Sequence, residues 1–347
     1  MHRTHPRPPR QRTWLGAAAV GLVLTACGAP TEADLAAETD GGEQLHIVAT
    51  TSILGDIVGA LAEDDAEVSV IMPPASDPHG FQPSARDARL LREADLVVAN
   101  GLQLEESLIS SLESAEEEGV RVFTVADKVD PLAFEGDDHA DDEHADGEHA
   151  DDEHADDDHG HGEEDPHFWL DPVRTADGVE LLGAELASVD GAPGRPDWTA
   201  RAAAYAEELR AVESEMATEF ERIPTDRRKL VTNHDALAYL ADRFDFEIIG
   251  TVIPGTSTQA EPDPRAFGEL VETLERESVS VVFVETTDST ALAEQLDREL
   301  AGRGLIDLAV VTLHTGGLGE AGSGAETYVD LLRTNARLIA DALSADG

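Results

Sequence analysis

From residue 45 onward, short β-branched apolar runs alternate with segments of helical spacing, and few folds satisfy that alternation. Residues 45–51 (LHIVATT) read as a strand. Residues 52–62 (SILGDIVGALA) read as a helix with Ser52 as its N-cap. The run EVSVIMPP is a strand stopped by two prolines. SARDARLLREA is helical, DLVVANG a strand, EESLISSLESAEEEG a helix and VRVFTVAD a strand. Strands separated by helices predict a parallel sheet covered on both faces.

The plan repeats after residue 224. KLVTNH, FEIIGTVIPG, SVSVVFVET and IDLAVVTLH are strands. DALAYLADRF, DPRAFGELVETLERE (with Pro264 near its first turn), STALAEQLDRELAG and AETYVDLLRTNARLIADAL are helices. Between the two series, Trp198, Ala202, Tyr205, Leu209, Val212, Met216 and Phe220 recur at steps of three and four. They form one apolar stripe bounded by Pro196 and Pro224. The expected fold is α/β. It has an N-terminal parallel-sheet lobe (45–195) and a C-terminal one (224–347), joined by one long rigid helix (196–223).

Ahead of the first strand stands a different kind of segment. RPPRQRTW is basic, LGAAAVGLVLTAC is apolar, and the run ends at Leu24-Thr25-Ala26-Cys27. This is the layout of a signal peptide over residues 1–26, too short for a membrane span, followed by a bacterial lipobox. Cys27 is the expected lipidation site, residues 27–44 a flexible tether, and the protein an extracytoplasmic one held to the bacterial membrane by its lipid. As Cys27 is the chain's single cysteine, an intramolecular disulfide and a cysteine-based zinc site are both excluded.

The formal net charge of -49 argues against nucleic acid as a partner. About a third of it lies between Glu135 and Asp165, where there is no Lys or Arg. There His139, His144, His149, His154 and His159 recur every five residues, followed by His161. Residues 136–164 lack the apolar side chains of a core, so a disordered loop is expected. His-rich tracts bind metals, and the expected role is low-affinity metal collection, with a solvated spacer as the alternative.

No phosphate-binding loop, nucleophile elbow or HExxH zinc motif is present. The chemistry therefore rests on histidine. Outside the leader and the repeat there are His46, His79, His167, His234 and His314. All but His46 are expected in loops at the carboxyl edges of the sheets, where parallel α/β folds bind ligands. Neutral imidazoles converging on one cleft suit a borderline metal such as zinc.

These residues carry a resemblance. PPASDPHGFQPSARDARLLREADLVVANG, DPHFWLDP, VTNHDALAYLADRFDFEIIG and AETYVDLLRTNARLIADAL resemble the substrate-binding lipoproteins of zinc and manganese ABC importers, from about residue 45 to 343. The resemblance implies two α/β lobes bridged by a rigid helix, one metal in the interlobe cleft, and ligands at His79, His167 and His234. Manganese members tend to carry glutamate at the third position, so histidine there favours Zn2+ over Mn2+. The acidic fourth position of the family reads Gly316, which leaves open a water, His314 or Asp77 as the fourth ligand. The implied partners are an ABC permease and its ATPase. The chain is expected to act as a monomer that binds without turnover. The rival readings are a zinc-dependent hydrolase and a surface adhesion or metal-buffering protein.

Overall fold

Two four-stranded parallel sheets, each in the order second–first–third–fourth strand, carry the molecule. The computed structural model describes residues 44–134, 164–191, 196–253, 255–260, 264–286, 291–303 and 308–344. The expected leader, Cys27, the tether and the histidines from His139 to His161 lie outside the described residues.

The first sheet contains β1 (Leu45–Ala49), β2 (Ala66–Val70), β3 (Leu96–Ala99) and β4 (Arg121–Thr124). Its helices are α1 (Ser52–Ala62), α2 (Ala85–Glu93) and α3 (Ile109–Glu117), followed by α4 (Pro172–Asp190) and α5 (Trp198–Phe220). The second sheet contains β5 (Lys229–Thr232), β6 (Glu247–Thr251), β7 (Val281–Glu285) and β8 (Ala309–Leu313). It is wrapped by α6 (Ala238–Phe244), α7 (Pro264–Glu277), α8 (Ala291–Gly302) and α9 (Tyr328–Ser344). Strands β3 and β7 are buried along their whole length, as LVVA and VVFVE require. The edge strands β2 and β8 leave Val70 and Val310 exposed.

Two local expectations change. The N-cap of α1 is Thr51, whose side chain accepts from Leu54 N, so the cap lies one residue before Ser52. Ser52 Oγ instead accepts from Leu318 N of the second half. The helix read as DALAYLADRF starts only at Ala238, because residues 233–237 stay irregular around His234.

Helix α4 is an addition to the sequence reading. Asp171 caps it through Val173 N and Arg174 N, Pro172 occupies its first turn, and Gly191 closes it in the left-handed conformation (φ 51°). It packs along α5 at close range. A Cβ placed on Gly183 would lie 2.3 Å from Ala202 Cβ and 3.0 Å from Trp198 O, so only glycine fits there.

The 23 residues of α5 reach from one half of the molecule to the other. At its start, Arg201 donates to Leu61 O and Ala62 O at the end of α1 and to Asp65. At its end, Phe220 packs edge-on against Phe244 and Phe246, with ring centroids 4.9 and 5.0 Å away. Its buried stripe is Trp198, Ala202, Ala206, Leu209, Val212, Met216 and Phe220. Ala206 takes the innermost place expected of Tyr205, which is only half-buried. One apolar cluster runs from Leu45 to Leu343 through both halves, so the two sheets share a core.

Candidate metal centre

The segment His167–Asp171, a single 3-10 turn over Phe168–Leu170 with its flanking residues, sits where the halves meet, and both of them hold it. Tyr239 of α6 donates to Asp165 O (2.7 Å), and Leu132 N donates to the same hydroxyl (3.0 Å). Trp169 Nε1 donates to Thr315 O (2.7 Å), just beyond β8. Asp171, fully buried, accepts from Arg243 of α6 at 3.0 and 2.8 Å. Main-chain groups, a tyrosine hydroxyl and an opposite charge together fix the segment from both sides.

Three histidines converge on it. His79 comes from the connection after β2, His167 from the turn before Phe168–Leu170, and His234 from the segment after β5. One ligand atom from each lies within 4.8 Å of the other two. They are 4%, 1% and 1% exposed, and burial this deep is uncommon for imidazoles without a task. The ring centroids are 5.3 to 5.7 Å apart, with the planes tilted or edge-on, so each ring points a nitrogen inward rather than stacking.

His79 Nε2 and His167 Nε2 stand 3.3 Å apart. Two nitrogens about 2.0–2.1 Å from a tetrahedral zinc ion are separated by about 3.3 Å. Behind His167, Nδ1 lies 2.6 Å from Asp165 Oδ1, which also accepts His167 N. A proton held between Nδ1 and that carboxylate leaves the Nε2 lone pair facing the centre. Neither ring nitrogen of His234 has a hydrogen-bond partner among the described residues, although both are buried. A buried, unsatisfied imidazole fits a metal ligand and fits little else.

Electrostatics agree. Burial holds His167 well below the ordinary histidine range, and the neighbouring His79 acts in the same direction. Burial, then His167 and His79, does the same to His234. Both imidazoles are therefore neutral, the form that binds metal. Burial pushes the Asp165 carboxyl up to about 7. The His79 imidazole, with Nδ1 at 3.7 Å, holds Glu106 below the usual carboxylate range.

The other candidates are elsewhere. His46 lies in β1 beside Ser69 Oγ. His314 follows β8, but its main chain is clamped on both sides by Asn335 and its ring packs against the loop at Gly319. It does not belong to the histidine trio. Asp77 is occupied as well: it accepts His79 N on one oxygen and Thr258 Oγ1 (2.8 Å) on the other. Ser257 Oγ likewise donates to Glu106 (2.6 Å), so residues 255–260 of the second half reach across to the loop carrying His79. Of the carboxylates, sequence reasoning missed Glu285, the last residue of β7, whose Oε1 is 3.7 Å from His234 Nε2.

Comparison with known proteins finds relatives named for metal binding. The chain is 27% identical over 325 residues to the manganese-binding lipoprotein MntA of Halalkalibacterium halodurans, covering 94% of this chain and 96% of that one. It is 26% identical over 299 residues to the zinc-binding protein TroA of Treponema pallidum, covering 86% and 88%. The solved structure of the periplasmic TroA superposes with a TM-score of 0.73 at 26% identity, covering 87% of this chain and all of that one. No helix among the described residues is long and apolar enough to cross a membrane. The profile described as zinc-uptake complex component A, periplasmic, matches residues 47–342, and the chain belongs to that ZnuA family.

Proposed function

We propose that this protein captures Zn2+ outside the cytoplasm and delivers it to the permease of an ABC importer. The carrying observation is the buried trio His79, His167 and His234, three imidazole donors from both halves of the molecule. Such a donor set suits zinc better than the harder manganese ion, which prefers carboxylate and water oxygen. Relatives named for manganese and for zinc align over nearly the whole chain, so family membership alone supports a divalent metal and the donor set supports zinc.

The trio is the high-affinity site and works by binding without turnover. The lipid on Cys27 holds the protein at the membrane beside its permease. The histidines at 139, 144, 149, 154, 159 and 161 supply weak additional binding that raises the local zinc concentration. That part of the reading rests on the sequence alone.

The test is a competitive zinc titration of the full chain against a chromophoric chelator strong enough to keep the histidine repeat empty. Manganese serves as challenger, and a His79→Ala variant is measured beside the wild type. One tight zinc site, resistant to manganese and lost in the variant, is the expected result. Weak multiple binding unchanged by His79→Ala would refute the proposal.

A further inference from the structure

Two carboxylates stand behind His79. Asp77 Oδ1 accepts its main-chain N–H (3.0 Å). Its ring turns Nε2 toward His167 and Nδ1 toward Glu106 Oε1, 3.7 Å away. Both carboxylates belong to the first half, yet each is engaged by the second. Ser257 Oγ donates to the same Glu106 Oε1 (2.6 Å). Thr258 Oγ1 donates to Asp77 Oδ2 (2.8 Å), which Gln259 Nε2 also reaches at 3.4 Å. We propose that Ser257 and Thr258 are positioning residues for His79, clasping its two supporting carboxylates from the other half so that metal release requires the clasp to open. The inference rests on the zinc-binding reading above.

The clasp is itself tied to another ligand. Gly255 N donates to Asp235 Oδ2 (3.3 Å), and Asp235 N donates to Gly255 O (3.0 Å). Asp235 directly follows His234, so residues 255–259 join the neighbour of one ligand to the carboxylates behind another. Gly255 has φ 105°, a conformation that L side chains rarely adopt, and turns the chain from Asp235 toward the first half. Ser257 Oγ also accepts Gln259 N (3.1 Å), a local turn that holds the hydroxyl in place. Gly80, next to His79, leaves the room in which the sides meet. A Cβ there would lie 2.7 Å from Asp77 Oδ2 and 2.8 Å from Gln259 Nε2.

The trio is buried, whereas Glu106 and Gln259 are exposed and Ser257, Thr258 and Asp77 are half-buried. The clasp therefore lies at the solvent rim of the site, where its hydrogen bonds can be exchanged for bonds to water. One such contact would be an ordinary surface hydrogen bond. Two from adjacent residues, acting on the two supports of one ligand, hold His79 at its spacing from His167. Opening them frees His79 while the core shared by the halves stays packed. The expected effect falls on the rate of metal loss more than on the rate of capture.

The experiment measures zinc release from the full chain. Protein loaded with one equivalent of zinc is mixed with excess chromophoric chelator in a stopped-flow instrument, and one equivalent of Co2+ reports the ligand set. The double variant Ser257→Ala with Thr258→Val removes both hydroxyls. The pair Ser257→Thr with Thr258→Ser keeps them and alters only the packing around them. Removing the hydroxyls is expected to speed zinc release by about 10–100-fold, the usual effect of losing groups behind a metal ligand. The Co2+ bands should stay at their wild-type positions, because the same imidazoles bind. The hydroxyl-keeping pair should release zinc within about threefold of the wild-type rate. With Glu106→Ala in place, Ser257→Ala should add little, as expected of a residue that acts through Glu106. Release within about threefold of wild type after removal of both hydroxyls would overturn the clasp while leaving the trio intact. Equal acceleration in the hydroxyl-keeping pair, shifted Co2+ bands or full additivity with Glu106→Ala would do the same. A wild type with no tight site lost in His79→Ala would overturn both readings.

Discussion

His79 and His167 hold their Nε2 atoms 3.3 Å apart although 88 residues separate them along the chain. Two buried ring nitrogens at that distance form a site already spaced for an ion. Little reorganisation then opposes binding, so metal should stabilise the fold by mass action. At a free zinc concentration 100 times Kd the gain is about 2.7 kcal/mol. Thermal unfolding of the full chain should shift upward by several degrees with zinc and return on adding chelator. In His167→Ala the zinc-dependent shift should vanish.

The contact between Asp165 and His167 makes a separate prediction about protons. Burial pushes Asp165 up to about 7 and holds His167 well below its ordinary range. Below about pH 7 the metal-free pair therefore keeps a proton on the acid, while the imidazole is neutral. A cation at His167 Nε2 favours the ionised carboxylate. Binding then releases one proton, and affinity falls as pH drops through 7, by about tenfold per unit at most. Calorimetric titrations in two buffers of different ionisation enthalpy should show about one proton released near pH 6 and almost none above pH 8. Asp165→Asn should abolish that release and cost about 10–100-fold in affinity.

Asp171 makes one residue serve two structures. It caps α4 and forms a two-point ion pair with Arg243 of α6. Removing a buried partner costs about 3–5 kcal/mol, reduced here because Arg243 is about a third exposed. Asp171→Ala should lower stability by about 3 kcal/mol in denaturant unfolding. Arg243→Lys, which keeps the charge but loses the fork, should fall between wild type and Asp171→Ala.

Where α4 meets α5, Gly183 is a steric requirement. Even a methyl group would overlap Ala202 Cβ and the Trp198 carbonyl. Gly183→Ala should destabilise by about 1–3 kcal/mol despite alanine's higher helix propensity. A neutral or stabilising result would show that the two helices separate easily.

Much of this was legible in the chain. Alternating strands and helices gave both sheets, because buried parallel strands such as LVVA and VVFVE tolerate little but apolar residues. His79, His167 and His234 stood out through their place after predicted strands and in the DPH motifs. What escaped had physical causes. Helix α4 is built on alanines and glycines, with a weak apolar stripe, and its cap signals at Asp171, Pro172 and Gly191 went unread. The start of α1 shifted by one because Thr51 and Ser52 both carry a capping hydroxyl and the fold uses Ser52 elsewhere. Glu285 read as the polar end of a strand. Its closeness to His234 and to the space over Gly316 is a tertiary relation, written in no local pattern.

Helix α5 spans about 34 Å at 1.5 Å per residue. Anchored by Arg201 at one end and Phe220 at the other, it acts as a lever between the halves that supply the ligands. Bending such a rod evenly through about 10° displaces its tip by roughly 3 Å, as much as the gap between the ligand nitrogens. A permease that flexes this rod slightly could draw His234 away from His79 and His167 with both sheets intact. Cargo release would then be a matter of curvature, and its rate would be set by the stiffness of one helix.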